Sequence, residues 1–324
     1  MLTPILALIA CVMAGPDRAD FGADPGADPG ADLRVADLRV AMAADVHVEI
    51  QAEIDAEVHV EVQADTVIPV ERGARLAVEN WRGSVAVRVW DRDAVRVVGD
   101  NARALDVAIR GPVVRVRANP ELPQRRPAEL SVTIPRWMAT SVTGLETGVV
   151  VEGSDGDVVI ESMSGDVEVR GGAGHVSIHT IRGAVAVRDA RGRVEVRAVN
   201  DPVTVENVTG DVAIEATNGS VDLRGIRSRS VRVRTVNGGV RYQGSILDDG
   251  RYAFTTHNGS IDLTVPASTN ATVSAVTHNG NFNSEFPVHF TGMSRDRHFN
   301  FTLGSGSARL DAESFNGNIV LRRP

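Results

Sequence analysis

The chain has 324 residues, of which 43% are hydrophobic but only 4% aromatic, and it carries a net charge of −8. That balance excludes the broad basic face that a nucleic-acid backbone requires. The single cysteine, Cys11, excludes an intrachain disulfide.

Residues Leu2 to Ala14, LTPILALIACVMA, are too short to span a bilayer but suit the apolar core of a secretory signal. Signal peptidase cleavage would follow Ala14, giving a signal peptide over 1–14. Leu8-Ile9-Ala10-Cys11 also resembles a lipobox, in which Cys11 would be lipidated and become the new N-terminus. No Lys or Arg precedes the apolar core, which leaves an upstream start codon open. Residues 15–45 contain the tandem stretch GADPGADPGADLRVADLRVA, whose low apolar content predicts a flexible linker. From Val46 to Ala64 every second residue is apolar and the alternate positions are mostly His, Glu, Gln or Asp. The acidic segment 46–66 therefore reads as one long amphipathic strand or an imperfect duplicated pair. Its carboxylates would deter edge-to-edge association.

A folded domain is expected over 67–324. Short strands open it at Arg75–Val78, Ser84–Val89, Ala94–Val98, Asp106–Ile109, Val113–Val116 and Leu130–Ile134, separated by turn and proline clusters. Next comes a glycine about every nine residues, at Gly156, Gly165, Gly174, Gly183, Gly192, Gly210 and Gly219, with Asp201 interrupting the series. An aliphatic pair stands two and four residues after each mark, as in Val158/Ile160 and Val194/Val196. Strand alternation combined with a corner glycine at fixed spacing predicts an all-β, parallel β-solenoid (β-helix). No nine-residue unit could fold alone, because burying two aliphatics cannot offset the ordering of nine backbones; only the stack is stable.

Asn-Gly pairs at Asn218, Asn237, Asn258, Asn279 and Asn316 are separated by 19, 21, 21 and 37 residues. One coil is thus expected to hold two half-coils of about nine residues in 18–21 residues, with an asparagine ladder at one corner. Residues eighteen apart should be neighbours, placing Glu161, His179, Arg197 and Glu215 on one face and Arg170, Arg188, Glu206 and Arg224 on the other.

No catalytic or cofactor-binding residues emerge. Asp157, Asp166 and Asp211 follow corner glycines, where aspartate is favoured as a turn residue. GGAGHVSI at Gly171–Ile178 shares only the glycines of calcium-binding nonapeptides. His175 and His179 lie about 13 Å apart along a strand, too far for one metal. His257 and His278 both occur in Thr-His-Asn-Gly. If one coil apart, they would approach to about 5 Å, where a pair could take zinc or respond to pH. The plainer reading is two polar corner residues repeated with the coil.

The segment Val67–Gly99, the proline-bounded strand ELSVTIP at Glu129–Pro135, the repeats SGDVEVR and NGSVDLRG, and the ending SFNGNIVLRRP together resemble the bacterial putative adhesin domain, a family of unknown function. It is similar in turn to auto-transporter adhesin heads. The resemblance covers Val67 to Pro324 and implies a right-handed solenoid, exported or envelope-associated, without established enzymatic residues. The expected function is a non-enzymatic exported cell-envelope protein, an adhesin or envelope scaffold with a cell-surface glycan or protein ligand and no nucleic-acid partner. It would reside in the periplasm, at the outer membrane or on the cell surface, held by a lipid on Cys11 or by no anchor. Alternatives are a polysaccharide-acting β-helix enzyme and an envelope stress or signalling accessory protein.

Overall fold

Alternating Val, Ile and Leu leave the chain one way to bury its apolar side chains, as strands with one inward face, and every regular element among the described residues is a strand. The computed structural model describes residues 38–42, 46–52, 57–60, 65–99, 105–118, 127–287 and 297–324; the proposed signal peptide, Cys11 and most of the proposed linker lie outside them. Before residue 65, β1 (Leu38–Met42), β2 (Val46–Ala52) and β3 (Glu57–Val60) form successive antiparallel pairs. The alternating acidic stretch thus holds a strand pair, and the end of the proposed linker is itself a strand.

β4 (Asp65–Pro69), β5 (Arg75–Trp90), β6 (Ala94–Gly99), β7 (Leu105–Arg110), β8 (Val113–Ala118) and β9 (Ala128–Pro135) follow. The two strands expected at Arg75–Val78 and Ser84–Val89 are one, β5, because Gly83 (φ +122°) carries the chain round a corner without breaking the ladder. The first half of β5 pairs in parallel with β8 and the second half with β9. Antiparallel pairs β3–β7–β8 and β4–β6–β9 close this end, and Arg96 holds Asp65 at 2.5 Å.

The regular stack begins with β10 (Ala139–Glu152), which lies parallel to β5. One face continues through β11 (Val158–Ser164), β13 (Val176–Arg182), β15 (Val194–Ala198) and β17 (Val212–Ala216). The other continues through β12 (Val167–Arg170), β14 (Val185–Arg188) and β16 (Val203–Glu206). Two longer strands, β18 (Val221–Thr235) and β19 (Val240–Asn258), then cross both faces. Equivalent residues are 18 apart at first, as in Asn218 and Asn200, then 19 and 21 as the corners lengthen. The coils enclose a continuous core in which Val176, Val194 and Val212 stack in register. Where β19 widens the coil, Tyr242, Tyr252 and Phe254 fill the extra space. Burial pushes the Tyr242 hydroxyl far above its usual range, so it stays protonated and donates to the Ser245 carbonyl at 2.9 Å.

The nine-residue glycine period resolves into two corner files. Gly156, Gly174, Gly192 and Gly210 stack at one, while Gly165, Gly183, Asp201 and Gly219 stack at the other. The reason is steric: a Cβ on Gly183 (φ +114°) would lie 2.1 Å from the carbonyl oxygen of Gly165 one coil below. Gly183→Ala should therefore cost more than the roughly 1–3 kcal/mol of an unfavourable backbone alone. Gly111→Ala, with φ +56° and nothing within 4 Å, should cost only about 1–2 kcal/mol. Thermal unfolding of the two variants compares them directly.

Chain order and stacking order part at the C-terminus. After β20 (Ile261–Thr264) the chain forms β21 (Ala271–Thr277), β22 (Phe282–Ser284) and β23 (His298–Leu303), the last antiparallel to β21. The final strands, β24 (Ala308–Asn316) and β25 (Ile319–Arg322), then return into the stack. β24 lies between β19 and β21, and β25 between β20 and β22. The last coil in sequence is thus an interior coil of the fold.

Candidate functional site

At one corner the coils from Ser162 onward repeat a short order of residues: a buried small side chain, an outward one, then Asn, Arg or Ser, then usually Gly. Thr180-Ile181-Arg182-Gly183 and Thr235-Val236-Asn237-Gly238 are examples. The buried hydroxyls of Thr235, Thr256, Ser314 and Thr277 donate to glycine carbonyls of the adjacent coil. The asparagines form the predicted ladder, but in the order 200, 218, 237, 258, 316, 279, each Nδ2 donating to the Oδ1 of the one before it at 2.7–3.0 Å.

The outward position is the feature that sequence reading passed over. Register places Trp81, Leu145, Met163, Ile181, Val199, Thr217, Val236, His257, Phe315 and His278 in one file along this corner. Trp81 is 52% exposed, Met163 51%, Val236 42%, Ile181 and Phe315 41% and Leu145 38%. Among the described residues only Val67, Val159 and Leu247 are comparably exposed large apolar side chains elsewhere. Folding does not require this, since a polar residue could hold an outward corner and each exposed aliphatic forgoes part of the roughly 1.5–3 kcal/mol that full burial would give. Stacking on neighbours one coil away recovers some of that. The outward half of each side chain still faces water, and its alignment makes a ridge.

His257 and His278 belong to this ridge, and the structure does not bring them together. Because β24 enters between their strands, Phe315 stands between them, 4.8 Å from the His257 ring and 5.0 Å from that of His278. The expected His–His neighbour pair is replaced by an aromatic stack with no shared position for a metal. The described residues contain no cluster of three or more His, Cys, Asp or Glu able to hold a metal. Two of the three aspartates that follow corner glycines hold backbone, Asp157 accepting from the amide of His175 and Asp166 from that of Ala184, and Asp201, which stands in the glycine file, accepts from that of Gly183, at 2.7–3.0 Å.

The two faces differ in how they use charge. Beyond the ridge's opposite face, Glu152, Arg170, Glu168, Arg188, Glu206, Arg224, Asp222 and Arg241 form one unbroken ion-pair chain. Beside the ridge, Glu161, His179, Arg197 and Glu215 align as expected, yet the one ion pair among them is Arg197–Glu215 at 3.5 Å. Here a groove of about 340 Å³ opens. Ala198 and Ala216 line its floor, Val199, Thr217 and Val236 form the ridge side, and His179, Arg197, Glu215 and Arg234 the other. Its floor is low because alanine takes the place of the larger hydroxyl residues of other coils, and its ridge side is low because Val199, Thr217 and Val236 are shorter than the Met, Ile, Phe and Trp side chains elsewhere in the file.

A family model matches residues 36–322, nearly the whole chain including the antiparallel strands before the stack. The chain belongs to the Toastrack DUF4097 family. Among solved structures, this Toastrack chain is similar to a putative cell adhesion protein from Clostridium sporogenes, at 9% identity over 80% of this chain and 99% of the other, with a TM-score of 0.19. It is also similar to a putative adhesin from Bacteroides fragilis, at 8% identity over 79% and 95% of the two chains, with a TM-score of 0.37. A putative lipid binding protein from Parabacteroides distasonis matches at 9% identity over 80% and 96%, also with a TM-score of 0.37. At these values the likenesses assign no ligand. No curated protein matches in sequence.

Proposed function

We propose that this Toastrack protein is a non-enzymatic, exported cell-envelope β-solenoid, an adhesin or envelope scaffold whose contact surface is the corner ridge with its groove. The observation that carries this reading is the ridge: a file of outward side chains, apolar in all but the coils of Thr217, His257 and His278, which the stack does not need for its own stability. A rigid ladder suits such a role because its contact groups are held at fixed spacing before a partner arrives, so little ordering entropy is spent on binding. Export rests on the apolar segment 2–14, and retention at a membrane on lipidation of Cys11; no described helix is long and apolar enough to cross a membrane.

Cell fractionation with protease shaving of intact cells, together with the mass of the mature N-terminus, tests the location. Surface exposure with lipid on Cys11 is the expected result for an anchored adhesin, and a cytoplasmic full-length protein would overturn the proposal. The ridge is tested by Met163→Glu with Ile181→Glu. Both side chains are half-exposed, so unfolding should shift by no more than about 1 kcal/mol per site. Attachment of purified protein to its native cells should fall at least tenfold. Unchanged attachment would remove the ridge from the contact surface.

A further inference from the structure

We propose that the groove beside the ridge, extended along β18, binds a linear glycan bearing regularly spaced anionic groups. The inference rests on the adhesin or scaffold reading and names the ligand class of that surface.

Its basis is a break in the charge pattern. On the far face, Arg170, Arg188 and Arg224 each contact two carboxylates, so their cations serve the stack. On β18 the outward positions are instead Arg227, Arg229, Arg232 and Arg234 in succession, none in an ion pair among the described residues. The groups facing them explain why. Arg232 lies between Ala213 and Ala253, and Arg234 between Glu215 and Thr255, with Glu215 already engaged by Arg197. Arg251 sits beside Ser230 and has Arg309 as its next neighbour, whose own carboxylate partner is Asp311. Other acids stand one strand further on, Glu195 beyond Ala213 and paired with Arg193, Asp311 beyond Ala253 and paired with Arg309, and Glu313 beyond Thr255, or at the corner before Arg251, where Asp248 accepts from Ser307 and Asp249 is exposed. Like charges side by side disfavour the folded stack slightly, and a chain of net charge −8 gains no solubility by concentrating them.

Arg234 joins this row to the groove, whose wall also carries Arg197 and His179 against the single carboxylate of Glu215. Guanidinium groups present a planar fork suited to carboxylate or phosphate. Alternate residues on a strand stand about 6.6 Å apart, and Arg197 and Arg234 are two coils, about 9.6 Å, apart. No small anion reaches across that span, whereas a polymer with repeated charges does. Val199, Val236 and the Ala198/Ala216 floor supply apolar surface for the C–H faces of sugar rings, and the Thr217 hydroxyl a polar contact. A duplex nucleic acid fits poorly, since its dense phosphates need a wide basic face and this one is bordered by Glu161, Glu195 and Glu313.

The experiment measures binding of the purified full chain to polygalacturonate and to a phosphorylated mannan, at physiological ionic strength, against neutral dextran and duplex DNA. Binding to one or both acidic glycans is expected, and which one binds identifies the anion as carboxylate or phosphate. Arg232→Gln with Arg234→Gln should weaken it by about tenfold or more. Arg72→Gln with Arg75→Gln, the same charge change at exposed positions far along the chain, should leave it within about twofold. No binding to either glycan, equal binding to dextran or DNA, or equal loss in both double variants would overturn the inference. Attachment to cells without glycan binding would refute the ligand class and leave the adhesin reading standing. Glycan binding by a protein confined to the cytoplasm would do the reverse.

Discussion

Deleting Ala308–Pro324 is expected to unravel the C-terminal part of the solenoid rather than trim its end. The segment is last in sequence, but β24 hydrogen-bonds to β19 on one side and β21 on the other, and β25 to β20 and β22. Its loss would leave β21–β23 without the strand that joins them to the stack. It would also withdraw Leu310, Ile319 and Leu321, each 1% exposed, from the core. At about 1.5–3 kcal/mol per aliphatic side chain, that is roughly 5–9 kcal/mol, comparable with the whole stability of an ordinary domain. The asparagine ladder would also break, since Asn316 bridges Asn258 and Asn279. Limited proteolysis should then cut the truncated chain within β21 and β22 at early times, where the parent resists. Persistent protection of β21 would mean that it can dock directly on β19, contrary to the observed order. The same topology predicts slow closure of this end in refolding, because β21 and its antiparallel partner β23 have no link to β19 until β24 inserts between them.

What the sequence made legible, and what it did not, follows from how local each signal was. The glycine period and the aliphatic pairs gave the parallel coils and their register, because a Cβ at the corner collides with the coil below wherever the chain lies. The asparagine ladder was readable for the same reason. Its order was not: Asn258 and Asn279 are as far apart in sequence as Asn237 and Asn258, so spacing alone makes them neighbours. Only the hydrogen bonds of β24 show that Asn316 and Phe315 occupy the intervening coil. The proposed His257–His278 pair failed with that order. The ridge left a visible trace in the outward residue just before Asn-Gly or Arg-Gly, as in Ile181, Val236 and Phe315, yet corner position and apolar character had to be combined to see it. The groove left none, since it depends on Ala198 and Ala216 lying side by side one coil apart.

Val194→Asp should be the most damaging single substitution in the regular stack. Val194 is fully buried, its Cα partners being Val176 and Val212, and its amide donates to the Asp211 carbonyl at 2.8 Å. Aspartate is close to valine in size, so the damage comes from polarity rather than volume. No polar group faces the position, and an unpaired carboxyl in that column costs several kcal/mol whether it is charged or protonated. Each coil contacts only its neighbours, so a defect at this depth divides the stack into two shorter pieces, each with a newly exposed end. A drop in melting temperature with a broader, less cooperative transition is the expected signature. The pH dependence supplies an independent check. Burial raises the folded-state pKa of the new carboxyl above its unfolded value, so the variant is closest to the parent below about pH 4 and loses ground as pH rises through the folded pKa. Glu195→Gln, one residue along but outward beside Arg193, should shift stability by no more than about 1 kcal/mol. If Val194→Asp melted with its outward neighbour's variant, the inward and outward assignment of the strand, and the ridge derived from the same register, would both be wrong.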